Sequence, residues 1–417
     1  MFKIKSVMIA CFAALSLMAG PDMSLVCGDY RIVFDIGAQA KCSIVQVFYK
    51  DVEVGTRSGW YGTVFCPASG KYIGAGHTEG GSERVQKTEL WVDGKEMPVQ
   101  GGTVTANEFR LHKNTQLDKL ALDVVWKLTP AGLDIEKQFT ATDAQPFHLL
   151  YIFQKCWSRQ STDWLLFKMD GTTEGGAFPP PQPKPTGDKV TWPLRGETNG
   201  FCITQYFDKE KVAHLSYIAD FSNVSGANYL WNVKGYHKQY FSLLLPKTLP
   251  AGFKSPLYRM SIRCFGAESQ EDWKAKATAL KDELLAQYPL FPTRLEPLRG
   301  STIVMPPSPD KQQIQKVLLK LQPDTLYDIS FQISKTEGMS KSPTHHYAFV
   351  GYYDKEAKKY PQLVQLAVKV PHDGQFHSVK GAFRTPKTAE TLYLYLYNSR
   401  SKGTVEVKDI LLEKRTE

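Results

Sequence analysis

Two histidine-bearing stretches hold the residues best suited to moving protons. His77 stands in a glycine-dense run, Gly74-Ala75-Gly76-His77-Thr78-Glu79-Gly80-Gly81, where bare backbone lets a ligand approach closely. If the run is extended, His77 and Glu79 point to the same side, as a general acid/base pair would; a hairpin turn with surface polar groups would carry the same residues. His237, between Tyr236 and Lys238, is the second candidate, with a half-buried strand histidine as its alternative. Glu210 and His214 are close enough in sequence to be considered as a further pair, though no motif surrounds them. His148 follows Pro146-Phe147 and leads into an apolar strand, so it is expected in the core. Trp60, Tyr61 and Arg159 could supply a stacking face and a clamp for a carboxylate, whereas Trp157 and Trp164 are expected inside. Near the end of the chain, Leu392-Tyr393-Leu394-Tyr395-Leu396-Tyr397 alternates strictly. On a strand the leucines take one face, and Tyr393, Tyr395 and Tyr397 take the other, about 7 Å apart in succession. Those rings form an accessible stacking platform, unless they stack only on their neighbours.

Other chemistry lacks its residues. No G-x-S-x-G elbow, nucleotide fingerprint, P-loop or HExxH occurs, and no CxxC or Cys/His spacing suits zinc. Paired carboxylates for glycoside hydrolysis stay open, because their pairing is spatial.

The elements that must position these residues read as strands. A length of 417 residues suggests two domains, and 42% hydrophobic with 12% aromatic residues is enough to fill their cores. From 24 to 265, runs such as Arg31–Asp35, Ser43–Tyr49 and Leu120–Trp126 are β-branched or aromatic and bounded by turn residues. Leu133 to Phe139 alternates as a half-exposed strand, and Leu90 to Glu96 reads as a strand entering a turn at Asp93-Gly94. Five prolines between Phe178 and Pro185 mark a surface loop. One helix is expected over 269–288, opened by Ser269 and early acids, with Trp273, Ala277, Leu280 and Leu284 at helical spacing. A proline-rich linker follows at 291–309. Strands resume from 310 to 417, and their number and closure suggest a two-sheet jelly roll. The fold class expected is therefore all-β.

Residues 1–20 read as an export signal, with Lys3 and Lys5 before an apolar run that is too short to span a membrane. Met8-Ile9-Ala10-Cys11 resembles a lipoprotein box, but few apolar residues precede Cys11. Six cysteines remain beyond it, which permits three disulfides or a set of buried thiols. Residues 298–417 carry eighteen Lys/Arg against twelve Asp/Glu, so most of the net charge of +9 lies in the last third. Without a nucleic-acid motif, an anionic polysaccharide or envelope surface suits that charge better than nucleic acid does; a solvated basic face accounts for it as well.

Leu321-Gln322-Pro323-Asp324-Thr325-Leu326-Tyr327-Asp328-Ile329-Ser330-Phe331 resembles the opening strand of xylanase-associated carbohydrate-binding modules. Residues Asp373 to Pro386 and Val405 to Ile410 resemble later segments of the same modules, with Phe376 where tryptophan is usual. The resemblance implies a jelly roll that takes a polysaccharide or oligosaccharide on aromatic side chains, with no catalytic cofactor. It also implies a structural calcium to which Asp409 contributes, a turn-facing acid being the other role for Asp409. Residues 24–290 resemble, more loosely, the galactose-mutarotase-like supersandwich, on Gly59-Trp60-Tyr61-Gly62, the His77 run, Trp126 to Lys137 and Tyr236 to Tyr240. That likeness implies acid/base work on a sugar ring by His77, Glu79 and His237. Three functions are then open: an exported carbohydrate-binding protein, a lyase, epimerase or glycoside hydrolase, and a structural envelope protein.

Overall fold

In the computed structural model the described residues are 22–37, 41–57, 62–76, 83–168, 171–178, 190–191, 200–219, 228–232, 236–243, 248–290, 294–297, 302–354, 357–387 and 392–415. The period-two pattern settles most of their conformation. Leu120–Thr129 and Gly132–Ala141 alternate buried and half-buried positions along their lengths and pair antiparallel. Asp93 and Gly94 both take positive φ between Arg84–Val92 and Lys95–Met97, as a tight hairpin turn requires. Asp93 Oδ1 also accepts the backbone N–H groups of Asn107 and Glu108.

Among the described residues these strands form a twelve-stranded and a ten-stranded sheet that face each other. Contacts across the gap show the facing: Phe34 meets Trp126 edge-on at 5.5 Å, and the Tyr30 hydroxyl accepts the N–H of Cys264 at 2.6 Å. The helix Gln270–Gln287 lies on the far side of the ten-stranded sheet. Ser269 caps it through the N–H of Asp272, Trp273 donates to Thr204 Oγ1 at 2.9 Å, and the Trp273 ring stacks on Tyr206. Six cysteines, Cys27, Cys42, Cys66, Cys156, Cys202 and Cys264, are buried and unbridged. Of the two cysteine arrangements the sequence permits, the structure has the buried thiols.

The C-terminal region is a second sandwich, of five and four strands among the described residues. From Thr302–Met305 onward, successive strands alternate between its sheets, except for the hairpin of Ala348–Gly351 with Gln362–Leu366. Within 291–309, where a linker is expected, Arg294–Leu295 and Thr302–Met305 pair with the last strand, Val405–Lys414. No helix of the described residues is long and apolar enough to cross a membrane.

Asp409 is exposed in that last strand. Ser330 pairs with Leu411 and Gln332 with Lys408, so Asp409 and Ile410 together oppose Phe331 in a β-bulge. Asp409 takes φ 53 there, a left-handed conformation that aspartate tolerates better than most side chains. The bulge accounts for the left-handed conformation of Asp409. Among the described residues no three His, Cys, Asp or Glu side chains gather as a metal site.

Candidate functional site

The interior of the large sandwich is unusually polar. Lys113, fully buried, donates to Ser43 Oγ at 2.6 Å, Glu83 Oε1 at 3.0 Å and the carbonyl of Lys41 at 3.1 Å. The same Glu83 oxygen accepts the N–H of Gly76 at 2.7 Å. Gly76 has φ 95, and a Cβ there would lie 2.9 Å from Ser43, so only glycine fits. Lys137 donates to Gly62 O, to Thr63 Oγ1 at 2.7 Å and to Ile152 O at 2.8 Å. Burial, then the nearby Lys155 and Lys113 charges, hold its ammonium well below the usual lysine range. Burial lowers Lys155 to about 7.

These lysines hold the described ends of three chain segments in place, at Lys41, Gly62, Gly76 and Glu83. Trp60, Tyr61, His77 and Glu79 lie outside the described residues. Their described neighbours Gly62 and Gly76 sit side by side at the end of the hairpin Thr63–Pro67 with Ile73–Ala75, where Gly62 N–H donates to Ala75 O at 3.0 Å.

His237 points inward. It stacks on Phe178, and its Nδ1 lies 2.9 Å from Ser161 Oγ, which itself donates to Gln205 Oε1 at 2.9 Å. Burial first, then the charges of Arg159 and His214, lowers its pKa to about 3. With the residue 2% exposed, the ring is enclosed and its neutral form is favoured. Arg159 is half-buried at the same end of the sandwich. His214 is likewise interior, stacked 3.8 Å from Trp157, and lowered to about 3 by burial; Glu210 is in the turn before its strand. Trp157 and Trp164 are buried as expected, whereas His148, expected in the core, is exposed. It lies in the first residues of Gln145–Trp157, ahead of the apolar inward positions that begin at Leu150.

The outward side of the same strands carries a different set. Tyr151 and Tyr240 meet at 4.7 Å, and Lys238 Nζ lies 4.8 Å from the Tyr240 ring. Gln154, paired across the strands with Tyr240, is 1% exposed, and among the described residues neither of its amide atoms has a hydrogen-bond partner.

In the C-terminal sandwich, Leu392, Leu394 and Leu396 face the interior. Tyr393, Tyr395 and Tyr397 face outward and join a continuous aromatic layer. Phe349 stacks on Tyr395 at 4.6 Å, and Tyr347 stacks on Tyr397 at 5.0 Å. Gly351 makes room for this layer, because a Cβ there would lie 2.9 Å from the Phe349 ring. The layer is not uniformly open. Tyr395 is only 3% exposed, while Tyr353 and Tyr360 at its rim are 41% and 53% exposed and meet each other at 4.9 Å. Burial and the neighbouring phenols raise Tyr395 to about 12. Polar groups border the rings: Gln362 Nε2 donates to the Tyr347 hydroxyl, Gln365 Nε2 donates to Gln362 Oε1, and Lys316 Nζ lies over Tyr395 at 5.2 Å and Tyr393 at 5.8 Å.

The alternation of Leu392 to Tyr397 suffices to find the tyrosine row, but not its rim. Phe349 and Lys316 were missed. The alternation of Tyr347-Ala348-Phe349 was the available signal for Phe349; for Lys316 nothing in its own strand gives the cross-strand register to Tyr395.

No family model and no curated protein matches the chain. Solved structures are similar in part. An α-galactosidase from Lactobacillus brevis aligns with 59% of the chain at 11% identity and a TM-score of 0.37. The chain spans 39% of that enzyme's length. A galactose mutarotase-like protein from Clostridium acetobutylicum aligns with 58% of the chain and 94% of its own length, at 10% identity and a TM-score of 0.34. A family 16 carbohydrate-binding module aligns with 28% of the chain and 79% of its own, at 16% identity and a TM-score of 0.21.

Proposed function

We propose that this protein binds a carbohydrate polymer on the outward face of the four-stranded sheet of its C-terminal sandwich. The observation that carries this reading is the aromatic layer that ends in the exposed Tyr353 and Tyr360 pair. A pyranose ring has an apolar C–H face that packs on a phenol ring, while its hydroxyls need donors and acceptors at the edge. Gln362, Gln365 and the tyrosine hydroxyls supply them. The test is retention of the full chain on a panel of immobilised polysaccharides. Tyr353→Ala with Tyr360→Ala is expected to abolish retention; unchanged retention sinks this face as the site.

A second reading has the large sandwich meeting the sugar as well. It is favoured by the outward pair of Tyr151 and Tyr240, whose rings meet at 4.7 Å with Lys238 beside them. Tyr240→Ala would then weaken oligosaccharide binding while the polymer is still held by the C-terminal face. Acid/base catalysis by His237 is not part of either reading, because its ring is enclosed. The same reading has the protein exported, with residues 1–20 as the export signal expected from the sequence. The mass of the protein recovered from its host tests that: a mature chain starting near Pro21 supports it, and a chain retaining Lys3 and Lys5 opposes it.

A further inference from the structure

The four strands of the outward-facing sheet are Ile314–Leu319, Leu392–Tyr397, Ala348–Gly351 and Gln362–Leu366. They contain a single ionisable residue other than tyrosine, Lys316, and no Asp or Glu. The acids that lie in strands of this sandwich, Asp328, Glu406, Asp409 and Glu413, all belong to the other sheet. Lys316 is exposed, and among the described residues it makes no ion pair; its ammonium rests over the Tyr393 and Tyr395 rings.

That position has a consequence for the ligand. An ammonium within about 6 Å of a ring centroid is held by the ring's negative face. A neutral sugar stacking on Tyr393 must displace it and leaves the charge without a partner. Tyr395 lies between Tyr360 and Lys316, 6.0 Å from the Tyr360 ring and 5.2 Å from Lys316 Nζ, so a polymer stacked on the Tyr353 and Tyr360 rim whose anionic groups extend over Tyr395 meets that ammonium. Nothing in the strands of the sheet repels such a group. We propose, resting on the glycan-binding reading above, that the polymer is anionic and that Lys316 is the residue that selects it. Carboxylated and sulfated sugars present the same chemistry to one ammonium. A single-stranded nucleic acid also joins stacking faces to negative charge, but its backbone needs a basic track, and this sheet offers one lysine.

Affinity gel electrophoresis of the full chain tests this, with polygalacturonate as the carboxylated polymer, dextran sulfate as the sulfated one, and galactan and dextran as neutral controls. The wild type should be retarded by one or both anionic polymers more than by the neutral ones, and less so as salt rises. Lys316→Gln should weaken anionic binding about fivefold, the effect of one partly exposed ion pair, with Lys316→Arg restoring most of it. Tyr360→Ala should weaken binding to every polymer retained. Equal retention of neutral and anionic polymers, or anionic binding unchanged in Lys316→Gln, overturns the selection by charge while leaving glycan binding intact. Retention by none of the four overturns both. Displacement of a bound polymer by a single-stranded oligonucleotide at lower concentration overturns the glycan as ligand. Lys316 and Tyr360 are both exposed, so all three variants should melt with the wild type, which separates lost binding from lost fold.

Discussion

The two sandwiches distribute their polarity in opposite senses. The large one places Lys113, Lys137, Lys155, Glu83, His214 and Gln205 between its sheets. The C-terminal one fills its interior with side chains such as Leu392, Leu394, Ile329 and Phe331, and turns the tyrosines of Leu392–Tyr397 outward. Among its buried polar residues is Lys335, which donates to Ala367 O at 2.6 Å near His346. Buried charges must be paired and hydrogen-bonded or the fold loses several kcal/mol, so the large interior is demanding about geometry. That demand is met where Lys113 and Lys137 bond to Lys41, Ser43, Gly62, Thr63 and Glu83. An exposed aromatic layer makes no such demand and is free to serve a ligand.

The sharpest way to break this contrast is to remove one partner of the buried pair. Glu83→Ala leaves the Lys113 ammonium without its carboxylate and should cost about 3–5 kcal/mol. Replacing both by apolar residues, Glu83→Leu with Lys113→Met, should cost much less. All eight tryptophans lie before residue 274, so urea unfolding followed by tryptophan fluorescence reports the large sandwich alone. A loss under about 1 kcal/mol for Glu83→Ala would mean that the pair does not hold the interior together.

Titration gives the next effect in size. Lys155 is lowered to about 7 in the fold, while an unfolded lysine keeps its proton to about 10.4. Between those values the unfolded chain holds a proton that the folded chain does not, so stability rises with pH, by up to about 1.4 kcal/mol per unit. Lys137 is lowered for the same reason and steepens the rise. Buried cysteines act oppositely, but only once unfolded thiols ionise near about 8.5. Lys335 in the other sandwich is lowered to about 8. The window from pH 7 to 8 therefore isolates the large sandwich, and Lys155→Met should flatten its slope there. On the acid side His214 and His237, both lowered to about 3, remove stability as pH falls below about 6.5, again by up to about 1.4 kcal/mol per unit each. A tryptophan-monitored stability that is level from pH 5 to 8 would contradict both.

The helix is a smaller lever. It gives the large sandwich a third layer, and Ser269→Ala removes the cap on the N–H of Asp272 at a cost of about 1 kcal/mol. That loss should appear in the tryptophan transition, which includes Trp273, and leave polysaccharide retention untouched.

The strands and the helix were legible because burial imposes its own period on the sequence. The same period contained a warning that hydrophobicity alone hides. In Leu133-Asp134-Ile135-Glu136-Lys137-Gln138-Phe139 the inward positions are Leu133, Ile135, Lys137 and Phe139, so the alternation already places a lysine inside. Phe109, Leu111, Lys113 and Thr115 repeat the case. What was not legible is the oxygen cage that makes Lys137 tolerable, because Gly62, Thr63 and Ile152 come from distant strands. His237 shows the reverse error. Its neighbours Tyr236 and Lys238 suggest a polar site, yet alternation sends His237 inward and leaves those two outside. In the C-terminal sandwich the leucine and tyrosine faces follow from one strand, whereas the covering of Tyr395 by Phe349 and the openness of Tyr360 depend on pairing between strands.

The smallest effect on stability separates the two regions most cleanly. Tyr360 is 53% exposed, with its ring against Tyr353 and Tyr395, so Tyr360→Ala removes little buried area and should change stability by no more than about 0.5 kcal/mol. Tyr395→Ala, under the same layer but 3% exposed, should instead cost about 3 kcal/mol or more, as truncation of a buried ring does. Both changes lie on one outward face, and only the first leaves the fold intact while polysaccharide retention falls. If Tyr360→Ala proves as destabilising as Tyr395→Ala, the rim is packing rather than platform, and the outward rings serve the fold as the buried lysines do.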